Sequence, residues 1–305
     1  MAAGDFGRGM LRVGKTRRID QAEQGLKESP GMAKFPARIH VLLARDAPVG
    51  VVIRRGPAKS VAVLLWDRRK DHFRLGQWLR GRIYERRSDL SPDGEHLIYF
   101  AMNGKWSGEA KGSWTAISRA PYLKALAMFP KGDCWNGGGL WTGNGLYWLN
   151  DGYGHEVMHD VRYLRRDLSW RPSIDYGGEC PGVYYHRLMR DGWTLAGRER
   201  ADHRNEWFTF EKPCPRGWTL KKMSHLQLYA GPGKGCYWDE HVLVHPSSGA
   251  IACPDWEWAD LDGDRLVWAT GGRLETGRLT NKGLMERRTL RDFNDMEFEA
   301  IAAPY

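Results

Sequence analysis

His155-Glu156-Val157-Met158-His159 sets two histidines four residues apart, with a glutamate beside the first. On a helix, side chains at this spacing stand about 6 Å apart at Cβ, so both imidazoles reach one Zn²⁺ while the glutamate serves as base. The chemistry would be metal-assisted hydrolysis, and it requires a helix. The flanks argue against one: Asn150-Asp151-Gly152-Tyr153-Gly154 is a turn cluster, and Val161-Arg162-Tyr163-Leu164 alternates like a strand. In an extended chain four residues span about 13 Å, too far for a shared ion. A third ligand is also missing at the spacing of the longer zinc motifs, where Arg165 stands, and Glu179 lies in a Gly-Gly-Glu-Cys-Pro loop. His155, Glu156 and His159 are therefore expected to be a chance match without a metal, and no cofactor is expected elsewhere.

Three other stretches combine backbone freedom with polar and aromatic groups, the composition of binding loops. Residues 131–139 carry Asp133, Trp135 and Asn136 before a triple glycine. Residues 175–182 carry Glu179, and residues 231–241 carry Tyr237, Trp238, Asp239 and His241. If the three loops share one face, these eight side chains form a recognition surface. Acid or base catalysis would further require the carboxylates, or a carboxylate and His241, to converge within a few ångström. No phosphate-binding Gly-x4-Gly-Lys loop, dinucleotide fingerprint or nucleophile elbow accompanies them.

The net charge of +9 suits an acidic partner, but the basic residues are scattered. Arg-Arg pairs at 17–18, 54–55, 68–69, 86–87, 165–166 and 287–288 read as a solvated rim of strand ends rather than a nucleic-acid patch. Nucleic-acid binding through the basic surface is kept as a lesser alternative. The five cysteines include no Cys-x-x-Cys pair and read as free thiols. No apolar run reaches the ~18 residues of a bilayer span, and the N-terminus shows no apolar signal segment, so a cytoplasmic protein away from membranes is expected.

Residues 1–37 are rich in glycine and basic residues and are expected to form a mobile arm. From residue 38 to 305, short runs of branched and aromatic residues alternate with Gly, Pro, Asp and Asn, the pattern of an all-β domain. Asp93-Gly94-Glu95-His96-Leu97-Ile98-Tyr99 aligns with Asp262-Gly263-Asp264-Arg265-Leu266-Val267-Trp268, and Gly143-Asn144-Gly145-Leu146-Tyr147-Trp148 has the same turn-then-strand form. Looser matches place comparable strands near residues 52, 97, 146, 208 and 266, roughly 45 to 60 apart, the length of one four-stranded propeller blade. Gly192-Trp193-Thr194-Leu195 returns at Gly217-Trp218-Thr219-Leu220, and the stretches Tyr163–Trp170 and His186–Trp193 read as strands ending in a turn. A last strand over Phe298–Ile301 is expected to pair with the first blade and close the ring.

Leu90-Ser91-Pro92-Asp93-Gly94-Glu95-His96-Leu97-Ile98-Tyr99 resembles the turn and strand of WD40-like β-propeller repeats of the TolB type, and Leu65-Trp66-Asp67 is similar to the Trp-Asp ending of WD repeats. The resemblance covers one blade clearly and parts of two more. It implies a propeller and, by itself, no activity. The expected molecule is a single propeller of five blades, each of four antiparallel strands. The expected role is a non-enzymatic scaffold or interaction module for a protein partner, within a larger complex. The alternative is a propeller enzyme or small-molecule binder using the channel mouth.

Overall fold

Twenty strands, one α-helix and one 3₁₀ turn (Pro215–Gly217) account for the regular structure of the computed structural model, which describes residues 35–56, 59–152, 154–228 and 235–305. The basic arm lies outside them, apart from Phe35, Pro36 and Ala37. The strands form five sheets in chain order. The first holds β1 (Arg38–Leu43), β2 (Val49–Arg55), β3 (Ser60–Asp67) and β4 (His72–Arg80). The second holds β5 (Arg82–Leu90), β6 (His96–Met102), β7 (Ser113–Arg119) and β8 (Ala125–Pro130). The third is smaller, with β9 (Gly139–Gly143), β10 (Leu146–Leu149) and the two-residue β11 (Arg165–Arg166), which runs parallel to β10. After α1 (Pro181–Arg190) come β12 (Thr194–Asp202), β13 (Asn205–Pro213), β14 (Thr219–Gln227), β15 (Tyr237–His245) and β16 (Gly249–Cys253). The fifth sheet holds β17 (Trp258–Asp262), β18 (Arg265–Thr270), β19 (Arg273–Thr280) and β20 (Gly283–Asp292).

The segments near residues 52, 97, 146, 208 and 266 are β2, β6, β10, β13 and β18, the second strand of each sheet. The aligned Gly turns join first to second strands. Gly94, Gly145 and Gly263 sit at φ of 78°, 68° and 63°, which side chains other than glycine adopt only with strain. Strand number departs from the expected four per sheet: the third sheet has three and the fourth has five.

Apolar clusters join the sheets in cyclic succession. The first and second sheets share a core containing Val51, Ile53, Leu97 and Tyr99, and the second and third share Ile117, Phe129, Trp141 and Tyr147. Leu140 and Trp148 pack with Val183 of α1. Tyr185 and Leu188 of α1 pack with Phe210, Leu220 and Trp268 of the fourth and fifth sheets. Ile39 and Trp66 then pack with Trp258, Val267 and Phe293, bringing the first sheet against the last.

Two expectations are overturned. Residues 293–305 form no strand, so ring closure by a C-terminal strand does not occur. The tail instead runs across the first two sheets, where Gln77 Nε2 donates to the Ile301 carbonyl at 2.7 Å and the Tyr305 hydroxyl donates to the Lys124 carbonyl at 2.7 Å. The second correction is α1 itself, since His186–Arg190 is helix, not strand. Pro181 at its first position, Arg187 and Arg190 in its last turn, and Gly192 (φ 89°) just past its end are ordinary helix start and stop signals. Eight of its ten residues are buried, His186 and Arg187 of its polar side among them.

No helix among the described residues is long and apolar enough to cross a membrane.

Candidate functional site

Residues 154–158 are irregular and His159 makes only an isolated bridge to Met128, so the two histidines do not share a helix face. Glu156 pairs with Lys111 at 2.5 Å on the surface. The zinc geometry is therefore not formed by His155, Glu156 and His159. Val161–Leu164, read as a strand, is a turn leading into β11.

The described parts of the three candidate stretches meet, residues 231–234 of the third lying outside the described residues. The Asn136 amide donates to the Gly178 carbonyl, and the Tyr237 hydroxyl donates to Glu179. Arg87 Nη1 donates to the carbonyls of Cys134, at 2.7 Å, and of Asn136. The first loop reaches this position through left-handed residues: Asn136, Gly137 and Gly138 have φ of 56°, 83° and 78°. A Cβ on Gly138 would stand 1.9 Å from the Arg87 carbonyl oxygen, so glycine is required there. Beneath the joined loops lies a cavity of about 320 Å³ whose wall includes Cys134, Glu179 and Tyr237.

The remaining candidates separate according to strand geometry. Residues 237–241 begin β15 rather than continuing a loop, so successive side chains alternate between faces. Asp239 and His241 point inward and are buried. Trp238 lies on the other face, stacked on His225 at 3.9 Å. Asp133 stays at the rim, pairing with Lys131 at 2.7 Å and accepting from the Trp135 amide at 2.8 Å. Trp135 itself is 53% exposed.

Arg86 and Arg87 are the main residues that the sequence reading misplaced. Together with Arg54 they are buried, whereas 165–166 and 287–288 lie in the solvent as expected. The cause is a bulge: β5 pairs Tyr84 with Phe100 and then Asp89 with Ile98, so Glu85-Arg86-Arg87-Ser88 face a single residue of β6. The surplus residues turn the guanidiniums toward the centre of the molecule. An Arg-Arg pair carries no signal that distinguishes this bulge from a solvated strand end.

Under the cavity floor Arg86 meets Asp239 at 3.1 Å and donates to Ser224 Oγ at 3.1 Å. The Tyr184 hydroxyl of α1 donates to Asp239 at 2.7 Å and accepts from Lys222 Nζ at 3.2 Å. Arg187 donates to the Glu85 carbonyl at 3.0 Å and to His40 Nε2 at 2.9 Å, which makes that nitrogen an acceptor and His40 neutral. Burial, then Arg187 and Arg86, hold the His40 pKa well below the usual histidine range. Burial alone would raise the Asp239 carboxyl, but Arg86 and Lys222 bring it down to about 2. His241 is lowered to about 3 by burial and by Lys222. Lys222 is lowered to about 8 by burial, and its ammonium lies over the Trp193 ring at 4.5 Å.

Asp239 and His241 share the buried face of β15, yet neither is set for proton transfer at neutral pH. Both titrate far from 7, and Asp239 is committed to Arg86 and Tyr184. The arrangement ties α1 to β5, β14 and β15 through buried hydrogen bonds and an ion pair. Among the described residues no three His, Cys, Asp or Glu side chains gather as a metal site. All five cysteines are free thiols. Cys134, Cys180 and Cys236 line the same cavity, and burial raises the Cys180 pKa.

No family model matches this chain, and no curated protein matches it.

Proposed function

We propose that the protein is a five-bladed β-propeller, plugged by α1, that serves as a non-enzymatic interaction module and presents its channel mouth to a protein partner. The cyclic succession of packed sheets and the Ser-Pro-Asp-Gly turn resemblance support the propeller. One observation carries the binding role: the loops at residues 131–139 and 175–182 and the start of β15 are tied by direct hydrogen bonds into one rim, with Trp135 exposed upon it. A fixed rim loses little conformational entropy on binding, and exposed tryptophan is a frequent interface anchor. The inward acidic and histidine groups are internally paired or titrate far from neutrality, which favours recognition over catalysis.

The test is affinity capture from the native host with wild type and Trp135→Ala, both checked for equal melting temperature. The expected result is a specific partner captured by wild type and reduced at least tenfold by Trp135→Ala, while Val157→Ser, on the surface next to residues that pair with β8, retains it. Equal capture by wild type and Trp135→Ala contradicts the mouth as the binding face.

A further inference from the structure

We propose that the cavity beneath the rim binds a small phosphate-bearing anion between Arg82 and Arg87. The proposal rests on the reading of the mouth as the binding face, and adds to it a ligand class and a site.

Charge accounting carries the argument. Five arginines line the cavity: Arg38, Arg55, Arg82, Arg86 and Arg87. Three have carboxylate partners, with Arg38 on Glu257 at 3.3 Å, Arg55 on Glu85 at 2.9 Å and Arg86 on Asp239 at 3.1 Å. Arg82 and Arg87 remain against the single carboxylate of Glu179, which already accepts the Tyr237 hydroxyl. Among the described residues neither has a carboxylate within ion-pair distance. Arg82 is exposed, its guanidinium over the Tyr84 ring at 4.5 Å.

Arg87 is only 2% exposed, and its charge is met by two neutral carbonyls, the faces of Tyr84 and Phe100 at 5.1 Å, and the buried Cys180 thiol. Its Nε is buried without an acceptor. A buried cation without a counter-charge is costly, and an anion in the cavity would offset that cost.

The N-terminus of α1 adds no donor to the cavity: Pro181 has no N–H, Gly182 and Val183 donate to the Glu179 and Cys180 carbonyls, and the Glu179 carboxylate stands just ahead of the helix. Two arginine forks suit the several oxygens of a phosphate group. The volume of about 320 Å³ lies at the lower end of small-molecule sites, which start at roughly 300 Å³.

Isothermal titration of the full chain with inorganic pyrophosphate tests this, with citrate as a carboxylate probe and sodium chloride matching ionic strength. The expected result is saturable one-to-one binding of pyrophosphate, weakened at least tenfold by Arg82→Gln, with citrate at least tenfold weaker. Arg82 is exposed, so its variant should fold even where a change at buried Arg87 does not. Absence of saturable pyrophosphate binding at millimolar concentration, or equal binding by Arg82→Gln, overturns the proposal. Citrate binding as tightly as pyrophosphate overturns the phosphate assignment. If no anion binds while Trp135→Ala still loses its captured partner, the anion site falls and the interaction reading stands.

Discussion

His241 shows how far a single residue's chemistry depends on where its strand puts it. As a histidine beside Asp239 and Glu240 it reads as part of an acid–base cluster. In the fold its Nδ1 meets the Trp256 carbonyl at 3.1 Å and its Nε2 is buried without a partner. It therefore stays neutral, with a pKa near 3, against about 6.5 in the unfolded chain. Between those values the unfolded state binds the proton and the folded state does not, so stability falls as pH drops through this window. Below pH 6 His40, held low by the same burial, contributes in the same direction. Asp239, lowered to about 2, begins to contribute only below about pH 4. Unfolding free energies from urea titrations between pH 6 and 4 should decline for wild type and decline less for His241→Gln, by about 1.4 kcal/mol per pH unit for the one proton removed. Parallel declines would contradict the buried neutral histidine. The identities of the rim residues were legible from composition, but the inward turn of Arg86 and Arg87 was not. It follows from a bulge that changes register without leaving a residue pattern.

At the scale of elements, the glycine turns were readable because a positive φ selects glycine, and Gly94, Gly145 and Gly263 all occupy it. The helix was not, because ten residues are short for a periodic signal and Val183, Tyr184 and Tyr185 suit a strand equally well. Its terminal signals, Pro181 and Gly192, were present and outweighed by the Gly-Trp-Thr-Leu repeat that follows. The repeat was nonetheless real: Trp193 and Trp218 are both 2% exposed, just ahead of β12 and β14. α1 is fixed at its C-terminal end by Arg190, which pairs with Asp89 at 2.5 Å and with Asp191 at 2.8 Å. The Asp89 side chain is 3% exposed, so removing the arginine strands a buried carboxylate. Arg190→Ala should cost about 3 kcal/mol in chemical denaturation. A loss below about 1 kcal/mol would mean that α1 is held by its apolar contacts alone.

For the whole molecule, the spacing of second strands predicted five sheets because each sheet repeats one turn-strand signal. The unequal strand numbers and the C-terminal crossing were hidden, since neither alters that signal. Phe298 looked like a strand residue, but it packs against Trp78 and Arg80, and the tail's backbone makes no ladder. The described residues form five sheets joined by apolar clusters, with buried charged groups between them and one set of hydrogen-bonded loops over a cavity. Hydrogen–deuterium exchange of the captured complex against the free protein tests that picture most directly. The account predicts new protection confined to residues 131–139, 175–182 and 235–241, with the outer strands β4, β16 and β20 unchanged. Protection on those outer strands, with the mouth loops unaffected, would contradict it.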